Sequence, residues 1–398
     1  NWQPLQLNLP HTSMRDLTIH GDDLIVATHG RSFWILDDVT PLRQLTEAFS
    51  TKKDFLFTPQ TAIRFRWSRY PDTPLPPETP AGKNPPDGAI IDYYLAPQSG
   101  SSSGPVLLEI FDEQNHLVRR YSSDDKPESL EKIAASNPIP MYWVRPERIL
   151  SAKPGMHRFV WDLHYTKPNS LSHEFPISAI VHNTPELPLG AIALPGNYTV
   201  NLRVGGSGAG NSDGYTQPLV VKMDPRIKSS GADLAQQFAM ESASVIGMND
   251  TFAALSQLQS VRGQIKERMA QAGKSPLADS LAALDQRLAQ LEGTAESNFA
   301  GLPPSGKQPE NFATAHQHFA AMLRVADSYD GAPTTQAIAT FKLLEDDTQQ
   351  LFNTWKNVKE KDLANVNADL AKSGQPPIDA NKPPSAAPSS DDDGDDEP

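Results

Sequence analysis

At about residue 229 the apolar residues stop recurring every second position and begin to recur every third and fourth, and the chain never changes back. Period two buries one face of a strand, whereas steps of three and four bury one stripe of a helix. A chain that does the first and then only the second is expected to be multidomain β + α, with a β region followed by an α region. It is not an alternating α/β sheet.

On the helical side, Ser230 with Asp233 three residues later approaches a capping box. Leu255, Leu258, Val261, Ile265 and Met269 then recur at helical spacing. "SPLADSLAALDQRLAQLEG" is cleaner, with Leu277, Leu281, Leu284, Leu288 and Leu291 in steps of four and three. Ser275 precedes Pro276 at its start and Gly293 stops it. Two more helices fit 309–330 (Phe312, Phe319, Leu323) and 334–362 (Ile338, Phe341, Leu344, Leu351, Trp355, Val358). The expectation is an antiparallel α-helical bundle over 229–372. The heptad-like leucines also fit an oligomer through the helical region, but helices able to cover one another favour an internal core. Residues 373–398, almost free of large apolar side chains, read as a disordered acidic tail.

On the β side, residues 1–45 hold three short strand-like runs, "RDLTIHG", "DDLIVAT" and "SFWILDD", separated by glycine-containing turns. So small a sheet is marginal alone and needs a neighbour. Residues 46–86 read as an extended Pro-rich linker, ending in "PDTPLPPETPAGKNPP". Residues 87–228 supply about six longer strands and no helical period, the pattern of an immunoglobulin or fibronectin III-like β-sandwich without a disulfide. Within "GMHRFVWDLHY", alternation assigns His157, Phe159, Trp161, Leu163 and Tyr165 to one face and Arg158, Val160, Asp162 and His164 to the other. "GGSGAGNSDG" is read as a flexible hairpin tip.

Composition removes several functions. The net charge is −13, and the final "DDDGDDEP" alone holds six acids. Nucleic acid, which calls for a basic patch, is not an expected partner. No apolar run approaches the roughly 20 residues that span a bilayer. With no cysteine, disulfides, zinc-thiolate sites and cysteine nucleophiles are excluded. "NWQPLQLNLP" is not a signal peptide, so the chain is either cytoplasmic or has its true N-terminus elsewhere.

Several stretches together carry a resemblance. "LNLPHTSMRDLTIHGDDLIVATHGRSFWILDDVTPLRQL" resembles the closing blade of large secreted bacterial β-propeller proteins with BNR or sortilin-like repeats, which are often labelled glycosyl hydrolase or exo-sialidase-like. "NPPDGAIIDYYL", "PGMHRFVWDLHY" and "LPGNYTVNLRVGG" resemble the β-sandwich that follows the propeller there, and "DLAQQFAM" the start of its helical region. The resemblance touches most of residues 1–270. It implies that 1–45 is the remnant of a last propeller blade, completed by an N-terminal propeller polypeptide in the same precursor or a separate chain. It also implies an extracytoplasmic location, whether secreted, periplasmic or at the cell surface.

Candidate chemistry is sparse. Asp22–Asp23 and Asp37–Asp38 invite paired-carboxylate glycosidase chemistry, but they fall at turns and strand ends, where aspartate ordinarily bonds local backbone. Alternation sends His157 away from Asp162 and His164, leaving too few ligands for zinc. His316 and His318, two apart on a helix, do not face the same way. No G-x-S-x-G, H-E-x-x-H, P-loop or G-x-G-x-x-G is present. The sequons at Asn197 and Asn249 are idle in a bacterial protein. Among the tryptophans, Trp34 and Trp161 sit in apolar strands and read as core. Trp67 and Trp143, flanked by arginine and proline, remain as ligand-stacking candidates for a carbohydrate partner.

No catalytic residue, cofactor or metal is assigned. The expected role is a non-catalytic structural or interaction module of the propeller protein. The alternatives are part of a sialidase-like or xyloglucanase-like glycoside hydrolase with its carboxylates in the propeller, and a carbohydrate-binding accessory domain.

Overall fold

The computed structural model describes residues 5–51, 53–66, 86–97, 105–126, 133, 139–176, 182–205, 214–294 and 310–383. About 40% of the chain is helical and 23% strand, in mixed β-sheets that precede a run of helices. The chain divides into two compact units: residues 1–166 with 174–228, and residues 167–173 with 229–398.

In the first unit, β1 (Met14–His20), β2 (Asp23–Thr28) and β3 (Phe33–Leu36) form an antiparallel three-stranded meander. Helix α1 (Thr40–Thr51) follows, where the sequence reading places a blade-to-linker boundary at 45/46. Its twelve residues, about three turns, offer only a short periodic window, and Asp38 caps its start through Thr40. The linker reading of 46–86 is further corrected by β4 (Phe55–Leu56) and β5 (Ala62–Arg64), which are built into sheets. Most of the Pro-rich passage lies outside the described residues.

The remaining strands are β6 (Ala89–Leu95), β7 (Val106–Phe111), β8 (Leu117–Ser122), β9 (Gly155–Trp161), β10 (Gly196–Val204) and β11 (Tyr215–Met223). They make a five-stranded sheet, β5-β11-β10-β7-β8, and a three-stranded sheet, β4-β6-β9. Only β5 joins in parallel, to β11; the other pairs are antiparallel. One core lies between these sheets: Ile91, Tyr93, Phe159 and Trp161 meet Leu108, Ile110, Val200, Leu202 and Leu219. The strict alternation assigned to "GMHRFVWDLHY" stops at Trp161, because Leu163 has a left-handed φ of 58° and ends the pleat. The "GGSGAGNSDG" tip lies almost wholly outside the described residues.

The second unit is helical. Helix α2 (Gly231–Ala272) begins with the capping box: Ser230 Oγ accepts from Asp233 N, and the Asp233 carboxylate accepts from Ser230 N. Helix α3 (Pro276–Glu292) has Ser275 as N-cap and ends at Gly293, φ 66°. Then come α4 (Phe312–Ala326), capped by Asn311, and α5 (Thr335–Asn357), capped by Thr334. A π-helical turn (Val358–Leu363) runs into α6 (Ala364–Lys372). The leucines of α3 face Leu258, Val261 and Ile265 of α2. The reading of 373–398 as disordered is corrected for 373–383: Ile378 is buried in this core, and Asn367 pairs with its main chain in both directions. A lone isoleucine among prolines has no period to reveal it. Residues 384–398 lie outside the described residues.

Candidate functional site

The meander β1–β3 carries large apolar side chains on both faces. Cross-strand register puts Leu17, Val26 and Trp34 in one row and Ile19, Leu24 and Leu36 in the next, all on one face. The opposite face is mixed: Ile25 with Ile35 and Ala27 with Phe33 lie beside Asp16, Thr18 and His20 of β1. Leu17 is 59% exposed and Ile19 61%; on the other face Phe33 is 74% exposed and Ile35 58%. An ordinary antiparallel sheet turns one polar face to water. This one exposes large apolar side chains on both faces. Trp34, expected in a core, is therefore only part-buried on an open sheet, whereas Trp161 is fully buried.

The sheet is fixed to the rest of its unit at its β3 end. Asp38 adopts φ 58°, and its carboxylate accepts from Thr40 N at 3.0 Å and from the Thr40 hydroxyl at 2.5 Å. Asp23 Oδ1 accepts from Asp38 N at 3.0 Å, Asp22 carbonyl accepts from Val39 N, and Arg43 pairs with the Asp22 carboxylate. All four aspartates thus lie around one turn. Arg158 on β9 then donates Nη1 to the Asp37 carbonyl at 3.0 Å and Nη2 to the Asp38 carbonyl at 3.3 Å. The same guanidinium grips Asp92 on β6. Burial raises the Asp92 carboxyl above the ordinary aspartate range, against the pull of Arg158. Burial and the nearby Asp23 charge raise Asp37 likewise, again opposed by Arg158.

Asp92 and Arg158 were missed as functional residues by sequence reasoning. A signal was present: "AIIDYYL" puts a single acid inside an otherwise apolar strand, and a buried acid needs a partner. Nothing local names which cation answers it.

The other candidates are dispersed. Trp67 lies outside the described residues. Trp143 ends a short 3₁₀ turn, part-buried, its ring edge-on to Tyr142 and its indole N–H buried without a partner. His157 contacts the Lys153 carbonyl at 2.6 Å and lies against Tyr93, while His164 bonds the Asp162 main chain rather than converging on a ligand set. Among the described residues no three His, Cys, Asp or Glu side chains gather as a metal site, and no helix is long and apolar enough to cross a membrane.

In the helical unit His316 is buried. Its Nδ1 lies 3.1 Å from the Met248 carbonyl, to which it donates, and Nε2 accepts from Leu171 N at 3.2 Å. Burial pushes its pKa down to about 4, so it is neutral near pH 7. Asn249, in the second sequon, is likewise engaged, accepting from Asn169 N at 2.8 Å.

Comparison of the chain with protein-family models, curated proteins and solved structures returned no match.

Proposed function

We propose that this chain is a non-catalytic structural and interaction module of a secreted β-propeller protein, acting outside the cytoplasm. In this reading β1–β3 are strands of a terminal blade, and the sheets behind them form an immunoglobulin or fibronectin III-like sandwich. The observation that carries it is the three-stranded sheet with large apolar side chains exposed on both faces. Two covering layers are needed, each about 10 Å away, as when sheets stack. A two-fold dimer covers one self-complementary patch and leaves the other face wet. Neighbouring blades cover both. A propeller blade normally has four strands, one more than this sheet has among the described residues.

The aspartates around the turn favour this reading over glycosidic chemistry. The Asp38 carboxylate is occupied by Thr40 and Asp23 by the Asp38 amide, so they serve as turn supports. The extracytoplasmic placement rests on the resemblance of the first 45 residues and the sandwich strands.

Hydroxyl-radical footprinting tests the proposal on native material, isolated with whatever polypeptide accompanies the chain, against the chain alone. Oxidation of Leu17, Ile19, Phe33 and Ile35 should fall together in the native material. Protection of one pair only would point to a two-fold dimer, and protection of neither would overturn the proposal.

A further inference from the structure

We infer that the first compact unit carries a binding site for a single carboxylate group, centred on the Arg148 guanidinium and flanked by Arg145, Arg119 and Tyr121. The site stands apart from the propeller reading, because no residue of β1–β3 takes part in it.

The backbone that presents Arg148 is fixed at both ends. Val144 is buried and pairs with Thr184, and Leu150 is buried in the core between the two larger sheets. Between these anchors, Arg145 is already committed. Its main-chain N–H donates to the Thr184 carbonyl at 2.8 Å, Nε to Asn183 Oδ1 and Nη2 to Asp87 Oδ2, the last two at 2.9 Å. On β8, Arg119 lies 5.2 Å from the centre of the Tyr121 ring and donates Nη1 to the Tyr165 carbonyl at 3.0 Å.

Arg148 has no such partner. Among the described residues it makes no hydrogen bond and no ion pair, and it is open to solvent. The two acids whose charges reach it are engaged elsewhere. Asp87 holds Arg145, and Asp162 Oδ1 accepts from His164 N at 3.2 Å. The two acids are kept close by Gly88, where a Cβ would stand 1.9 Å from the Trp161 carbonyl oxygen and 3.1 Å from Asp162 Cα. Partial burial, then the like charge of Arg145, hold the Arg148 pKa below the ordinary arginine value, and Asp162, Asp87 and Tyr121 offset this only in part. Burial, with help from Asp162, raises the Tyr121 pKa against the pull of Arg119 and Arg148, so its hydroxyl is a neutral donor.

Charge and shape then name the ligand. Three guanidiniums against two carboxylates leave one positive charge in this group. One monoanion balances it, whereas a phosphate dianion overshoots. An unpaired guanidinium offers a planar fork, which a carboxylate fills with two parallel N–H···O bonds.

The test uses the full chain and phenylglyoxal, which modifies accessible arginines, read by peptide mapping. Glucuronate at about ten times its dissociation constant should slow modification of Arg148 about tenfold, whereas glucose and sodium chloride at the same concentration should not. In calorimetric titration with glucuronate, Arg148→Gln should bind about tenfold more weakly or worse. Arg148→Lys, which keeps the charge and loses the fork, should lie between it and the wild type. Circular dichroism checks the folding of each variant. Acetate should compete with glucuronate, since the carboxylate is the group recognised. Protection by neither carboxylate, equal protection by chloride, wild-type affinity in Arg148→Gln, or displacement of glucuronate by phosphate more readily than by acetate would each overturn the site.

Discussion

Arg158 holds Asp92 with two arms of its guanidinium, Nε at 3.0 Å from Oδ1 and Nη2 at 3.0 Å from Oδ2, while reaching two main-chain carbonyls beyond β3. The acid is 3% exposed and the arginine 37%. Removing the cation strands a buried carboxylate. Arg158→Ala is expected to cost about 3 kcal/mol in chemical denaturation, and adding Asp92→Asn should recover much of it. The pH response follows from the raised Asp92 pKa. The folded state binds that proton more tightly than the unfolded chain, so this stability is present below the unfolded value near 3.8 and lost as pH rises through the folded one. Without Arg158 the folded value climbs further. The variant should therefore gain stability relative to wild type as the pH is lowered, as read by paired melts.

His316 gives the opposite sign. Its folded pKa of about 4 lies below the ordinary histidine value of 6.5. Stability from the neutral ring is present above about 6.5 and lost as pH falls toward 4, to a limit on the order of 3 kcal/mol. Protonation would set an N–H against the Leu171 N–H that Nε2 now accepts. Helical circular dichroism through denaturation at several pH values should show this loss. His316→Gln should start lower and lose much of the slope.

Gly247 lies within α2, where a Cβ would stand 2.5 Å from Cε1 of Phe319. Alanine gains about 1 kcal/mol in helix propensity, but the ring is held in a core beside Phe341. Overpacking typically costs 1–3 kcal/mol. Gly247→Ala is expected to lower the melting temperature, and in a Phe319→Leu background the same change should become neutral or stabilising, a coupling visible in a double-mutant cycle.

Ile378 anchors the segment after α6 and is 3% exposed. Ile378→Ala should cost about 2–4 kcal/mol and expose Asn367 and Gln264, whose side chains hold the main chain at Ile378 and Asp379. Faster amide exchange confined first to 375–380 would report the release. No change in exchange there would show that the segment is held without its isoleucine.

The change of hydrophobic period at 229, the caps at Ser230, Ser275 and Gly293, and the three strands of the first 45 residues were legible because each depends on local dihedrals and local hydrogen bonds. Likewise the apolar runs of β1–β3 announced a sheet in need of a neighbour. Tertiary structure alone decided the rest: that apolar side chains stay exposed on both faces of that sheet, that Asp92 finds Arg158 across 66 positions, that β5 joins β11 in parallel, and that a Pro-rich end packs through one isoleucine. Periodicity reports which side of an element seeks burial. Which partner buries it, or leaves it open, depends on complementarity between segments distant in sequence, and no local pattern encodes that.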